Sequence, residues 1–369
     1  MRRRDLIGGA GLATLLGGPS LAAPAISTGG LRLNMLTAWP RTLPILPRSA
    51  ERLARRIETL TEGFLRIDVF HAGERAGAED PFSAIERGEA ECYHGAEYFW
   101  MDRHPGFAFF TAVPFGLNER EMAAWLQAGG GQALWDRLSD RFGVRAFSAG
   151  NTGGQLGGWF PAPVQTLADI EGLRISVPGL AARVWAAAGA VPVQVAPGDL
   201  ALAVIDGEVD AVDWLGPRQD LEIGFVKLLP AHMAPGWQEP GMELSFGIAA
   251  ALFDVLAPSV QAIIRAATAE EALRLRAECR LENGRAFNLL RREFETAFTR
   301  FPDPLLIELH RTAASVIAET ATHDALALEI YDSFWQFRRR TVRHAEIGAG
   351  PYLASRNGAL GLDAVYDYN

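Results

Sequence analysis

Two related segments constrain this chain more than any other feature. Ala84-Ile85-Glu86-Arg87-Gly88-Glu89-Ala90-Glu91 is echoed by Ala203-Val204-Ile205-Asp206-Gly207-Glu208-Val209-Asp210. Each reads as a helix end, a Gly-Glu turn and the start of a strand, with glycine at the left-handed position that closes a helix. Each then runs into aromatic or polar residues, Tyr93-His94 in one copy and Asp213-Trp214 in the other. Two such units predict two similar lobes, with a ligand between them near the C-terminal ends of strands.

The surrounding pattern predicts an α/β fold. Residues 31–36 alternate as a strand, and 47–62 place Leu53, Ala54, Ile57 and Leu60 on one helical face. Leu65, Ile67 and Val69 alternate again. Helices are predicted at 119–128, 132–141 and 197–205, and strands at 144–148, 173–177 and 191–195. From about residue 258 the pattern is helical only: a stretch reaching 298, then 305–321 and 325–340, with Pro302 and Pro304 between. These helices either brace both lobes or form a homodimer contact. The expected division is a leader at 1–25, mainly the first lobe at 26–148, mainly the second at 149–245, and a return to the first lobe with bracing helices at 246–369.

The leader carries Arg2, Arg3 and Arg4, a short glycine-diluted apolar stretch, and Ala23-Pro24-Ala25 as a cleavage site. The arginines before Asp5-Leu6-Ile7 look like a twin-arginine export signal. The stretch is too short and glycine-rich to span about 30 Å of hydrocarbon. The chain of 369 residues has a formal net charge of −9, which disfavours binding to a nucleic-acid backbone. Cys92 and Cys279 are too few for a disulfide framework or a cysteine-rich zinc site. Lys227 is the only lysine and lies in no phosphate-binding or Schiff-base motif.

No nucleophile elbow, HExxH, CxxC or P-loop occurs, and the histidines are dispersed. A periplasmic enzyme is therefore disfavoured. Residues 150–158 lack the GxGxxG register and read as a turn of close backbone approach, with Asn151 and Gln155 offering amides. Aromatic and polar residues meet at Ala38-Trp39-Pro40, at 92–100, at Val212-Asp213-Trp214-Leu215-Gly216-Pro217 and at Gly236-Trp237-Gln238-Glu239-Pro240. Apolar walls with a few convergent polar groups describe a solute pocket.

Over Trp39-Pro40, 91–100, 107–116, 149–160, 167–179, 210–217 and 235–241, the chain resembles the solute-binding proteins of tripartite ATP-independent periplasmic (TRAP) transporters, in the branch that binds 2-oxo acids and similar carboxylates. The resemblance implies a two-lobed periplasmic solute-binding fold with crossing strands and long C-terminal helices. It also implies a non-catalytic role: capturing a small organic acid and delivering it to TRAP membrane permease subunits. A two-lobed receptor that senses a solute is the alternative.

By the same resemblance, Gln155, Asp213 and the Trp214 carbonyl hold a bridging Na⁺ or Ca²⁺, since oxygen donors suit a hard cation. Trp39, Tyr93, Asn151, Trp214 and Glu239 match positions at or near the pocket. One position departs from the family. Ser176 stands where relatives carry an arginine that forks onto the ligand carboxylate, and serine cannot supply that planar cation. Arg174, on the same strand face, and Arg218, after a Gly-Pro turn, are the candidate substitutes.

Overall fold

The computed structural model describes residues 30–75, 80–294 and 296–356, so the predicted leader and its export signal lie outside the described residues. Among the described residues, eleven strands form two sheets: β1 (Leu31–Thr37), β2 (Leu65–Phe70), β3 (Cys92–Gly95), β4 (Val144–Asn151), β5 (Trp159–Phe160), β6 (Arg174–Ser176), β7 (Val191–Pro192), β8 (Ala211–Val212), β9 (Ala231–Ala234), β10 (Glu243–Ala249) and β11 (Ala297–Arg300). The first sheet has the order β2-β1-β3-β10-β4, and the second β11-β9-β5-β8-β6-β7.

Alternation places Leu33 and Met35 of β1 against Ala50, Leu53, Ala54 and Ile57 of the helix Leu46–Leu60. Each fully buried leucine or isoleucine there contributes about 1.5–3 kcal/mol. β1 pairs in parallel with both β2 and β3, as the β-helix-β order requires. The chain leaves this sheet along β4 and returns along β10, and the two crossing strands pair antiparallel with each other.

The echoed segments occupy equivalent places. The helix Pro81–Glu86 leads to β3 and the helix Leu200–Ile205 leads to β8. Gly88 and Gly207 share φ of 69°, where a β-carbon is disfavoured.

The helix Pro258–Glu293 has 36 residues, about 54 Å at 1.5 Å per residue. It touches both lobes. On the first, Glu271 accepts hydrogen bonds from Ser49 (2.8 Å) and Arg52 (2.6 Å). On the second, Asn283 accepts from the Arg218 backbone at 3.1 Å. The helix Asp303–Thr320 packs against the helix Gly179–Ala187 of the second lobe, and Ala325–Ile347 packs against the helices of the first. These C-terminal helices therefore brace both lobes, with Leu309, Ile317, Ile330 and Phe334 buried in the process. Among the described residues no helix is long and apolar enough to cross a membrane.

The helix-only expectation after residue 258 is corrected by β11, which pairs with β9. The segment after residue 246 therefore also contributes to the second sheet. The strand expected at 191–195 shrinks to β7, because bonding to β6 ends with the Val193 N–H, which donates to the Ile175 carbonyl at 2.9 Å, and the chain beyond it lines the cleft.

Candidate functional site

A cavity of about 480 Å³ lies between the lobes. Its floor is built where parallel strands β6 and β8 end. Ser176 pairs with Val212, and the Asp213 backbone N–H donates to the Ser176 carbonyl at 2.9 Å. This pairing sets Ser176 and Asp213 side by side at carboxyl ends of the sheet, where α/β clefts form.

Gln155 reaches the floor from the glycine-rich link between β4 and β5. Its Nε2 donates to Glu239 Oε2 at 2.7 Å, and its backbone N–H donates to the Glu239 carbonyl at 3.4 Å. Gly236 permits this approach: a β-carbon there would lie 2.2 Å from the Gln155 carbonyl oxygen. Gln238 Nε2 donates to Asp213 Oδ1 at 3.0 Å.

That leaves Asp213 Oδ2 buried without a partner. Burial is also the main force pushing both the Asp213 and Glu239 carboxyls above the ordinary carboxylate range, and the Asp213 charge adds to the shift at Glu239. A buried carboxylate oxygen without a donor is costly. A cation relieves that cost. With its nitrogen tied to Glu239, Gln155 keeps its oxygen for such an ion, and Trp214 offers a main-chain carbonyl. Oxygen donors of this kind suit Na⁺ or Ca²⁺, the latter taking six to eight oxygens. Among the described residues no cluster of three or more His, Cys, Asp or Glu side chains could hold a metal. The protein's own donors here are few, so oxygens from a bound solute would complete the shell.

The walls come from both lobes. Trp39 follows β1, and its Nε1 donates to His94 Nδ1 at 2.9 Å. Burial drives the His94 pKa down to about 3, so the ring stays a neutral acceptor. Tyr98 and Phe99 lie in the 3-10 turn Glu97–Trp100, which carries the chain from β3 into the cleft. Trp214 and Leu215 face them from the second lobe.

The structure thus brings together Trp39, Gln155, Ser176, Asp213, Trp214 and Glu239. Four other candidates lie elsewhere. Tyr93 is fully buried in the first lobe, with its hydroxyl on Glu97 at 2.6 Å. Asn151 donates to Glu243 at 2.8 Å, joining the crossing strands. The Arg174 guanidinium is held by Asp210 of the neighbouring strand segment, with Nε donating at 2.9 Å. Arg218 pairs with Glu222 one helical turn on, at 2.9 Å. Neither arginine lines the cleft, so neither replaces the family arginine from its observed position.

Sequence reasoning missed Tyr98 and Arg183, which do line it. The signal for Arg183 was its spacing: Gly179, Ala182 and Arg183 lie at i, i+3 and i+4 on one helical face.

Comparison with known proteins gives a consistent picture. Residues 38–323 match the family described as bacterial extracellular solute-binding protein, family 7. A monocarboxylate 2-oxoacid-binding periplasmic protein of a Nostoc species is 32% identical over 347 residues, covering 92% of this chain and 94% of that protein. A TRAP periplasmic solute-binding protein of Colwellia psychrerythraea, solved with bound calcium and pyruvate, is 28% identical with a TM-score of 0.85, over 88% of this chain and 99% of that one. Its counterpart from Pseudoalteromonas atlantica, solved with sodium and pyruvate, is 30% identical with the same TM-score and the same coverage.

Proposed function

This chain belongs to family 7 of the bacterial extracellular solute-binding proteins, and from that premise we propose that it captures a 2-oxo acid through a cation at Gln155, Asp213 and the Trp214 carbonyl. The family and fold are those of solute receptors rather than of enzymes. The observation that carries the reading is the buried, partnerless Oδ2 of Asp213 beside Gln155 and Glu239. A hard cation there supplies the charge that draws a carboxylate into the cleft. The Ser176 hydroxyl offers the bound acid a neutral donor.

Trp39, Tyr98 and Trp214 exclude water from the bound solute, which strengthens every charge interaction inside. Glu239 fixes the Gln155 amide rather than meeting the solute itself. Delivery to TRAP permease subunits follows from the family's role, and the leader's arginines and cleavage site support a periplasmic location.

Calorimetric titration of the mature protein with potassium pyruvate, in calcium, in sodium and in sodium-free potassium EDTA, tests the reading. Binding is expected with either cation and lost in EDTA. Equal pyruvate affinity in EDTA would overturn the cation site.

A further inference from the structure

Two features of the cleft remain once the cation site is assigned. The first is Arg183. It is the only lysine or arginine among the cleft-lining residues, and its side chain has no hydrogen-bond or ion-pair partner among the described residues. Arg174 and Arg218 are committed to Asp210 and Glu222, but Arg183 is not committed to any acid. It shares one face of the helix Gly179–Ala187 with Gly179 and Ala182, and all three line the cleft.

The second feature is space. A three-carbon 2-oxo acid has six non-hydrogen atoms, which take at most roughly 180 Å³ if each claims a water's share of about 30 Å³. The cavity holds about 480 Å³. Ser176, at the end of β6, has a short side chain and lines the cleft with Gly179 and Ala182 of the helix that follows. Arg183 lies four residues beyond Gly179, about 6 Å further along the helix axis at 1.5 Å per residue. Its side chain is exposed to solvent at the cleft. Gln194, on the segment after β7, also lines the cleft and offers an amide donor.

We propose that the preferred ligand is a 2-oxo acid with a second anionic group, which Arg183 pairs at the end remote from the cation site. This rests on the cation-assisted capture proposed above. The guanidinium fork matches a carboxylate bidentately, which fixes the ligand's length as well as its charge. Asp102 of the first lobe also lines the cleft, so an ion pair from Arg183 to Asp102 is the competing account that the test must separate.

The test uses the mature protein in calcium, with 2-oxoglutarate as the five-carbon diacid, 2-oxopentanoate as its monoacid of equal length, and pyruvate. Wild type is expected to bind the diacid at least tenfold more tightly than 2-oxopentanoate. Arg183→Gln should lose tenfold or more on the diacid and less than twofold on the monoacids, with an unchanged melting temperature. Asp102→Asn should leave the preference intact. Calcium-dependent binding without preference for the diacid would overturn the proposal while sparing the cation site. So would equal losses on all three acids in Arg183→Gln, matched by Asp102→Asn, since Arg183 would then act as a latch between lobes. Binding that survives the removal of both calcium and sodium would instead refute the underlying reading.

Discussion

Replacing Asp213 by Asn separates the two parts that its carboxylate plays. The side chain keeps its shape, and its amide oxygen can still accept from Gln238, which now donates to Asp213 Oδ1 at 3.0 Å. The amide nitrogen then takes the place of Oδ2, the buried oxygen without a partner. Two N–H donors would face the cation position where an anion stood. Removing one partner of a buried charge pair costs about 2–5 kcal/mol. In calcium, pyruvate binding should therefore weaken by roughly 30-fold to several-thousand-fold.

The protein without cation should respond in the opposite direction. Two buried acids at an effective dielectric of about 20 repel by about 2–4 kcal/mol for separations of ~4–8 Å. Protonation of one acid relieves part of this, so the variant should gain about 1–2 kcal/mol in EDTA. Thermal melts in EDTA, in calcium, and in calcium with pyruvate read both effects. Wild type with pyruvate at 100 times its Kd should gain about 2.7 kcal/mol, and the variant at most about 0.9 kcal/mol at that concentration. A variant that keeps the calcium-dependent shift refutes the cation site. One that melts below wild type in EDTA refutes the argument from crowded acids.

Three further outcomes are expected. Gly179 has φ of 67°, and a β-carbon there would stand 3.3 Å from ring carbons of Tyr98 across the cleft; Gly179→Ala should cost about 1 kcal/mol of stability and weaken pyruvate binding about fivefold, measured by melting and calorimetry, and unchanged affinity would mean this contact plays no part in closure. Burial raises the Glu97 carboxyl to about 7 although Tyr93 donates to it, so the folded state holds its proton longer than the unfolded chain and stability falls as pH rises from about 4.5 toward 7; Glu97→Gln should flatten part of that slope in urea titrations across this range, and an unaltered slope would contradict the assignment. Replacing Arg3 and Arg4 by Lys should leave uncleaved precursor in the cytoplasm on fractionation, whereas normal processing would exclude the twin-arginine route.

The elements that alternation or helical periodicity could mark were legible in the sequence: β1, β2, β4 and the helices Leu46–Leu60 and Glu119–Ala128. Strands of two residues, such as β5, β7 and β8, carry no period and exist because a neighbour pairs with them. β11 was hidden for the same reason. Phe298 continues an amphipathic helical pattern, and only β9, far away in sequence, offers it a strand partner.

In the site, Gln155, Asp213, Trp214 and Glu239 were readable through the resemblance to the TRAP solute-binding proteins, whose pocket positions they match; the residues alone marked only the polar and aromatic segments that hold them. Tyr93 was named because it matches a family position at or near the pocket, yet β3 buries it, and the chain enters the cleft only in the next turn. Arg174 does share a strand with Ser176. What spacing within one strand cannot reveal is the neighbour, and there Asp210 accepts both the Arg174 backbone N–H and its guanidinium.

The long helix Pro258–Glu293 has a consequence for how the molecule comes apart. Because it is anchored to the first lobe through Glu271 and to the second through Asn283, neither lobe can melt without stripping a face of that helix. The two sheets are therefore expected to unfold in one cooperative transition rather than as separate domains. A solute bound in the cleft then raises the melting temperature of the entire chain, and a lobe expressed alone would lack the helix surface it needs to stay folded.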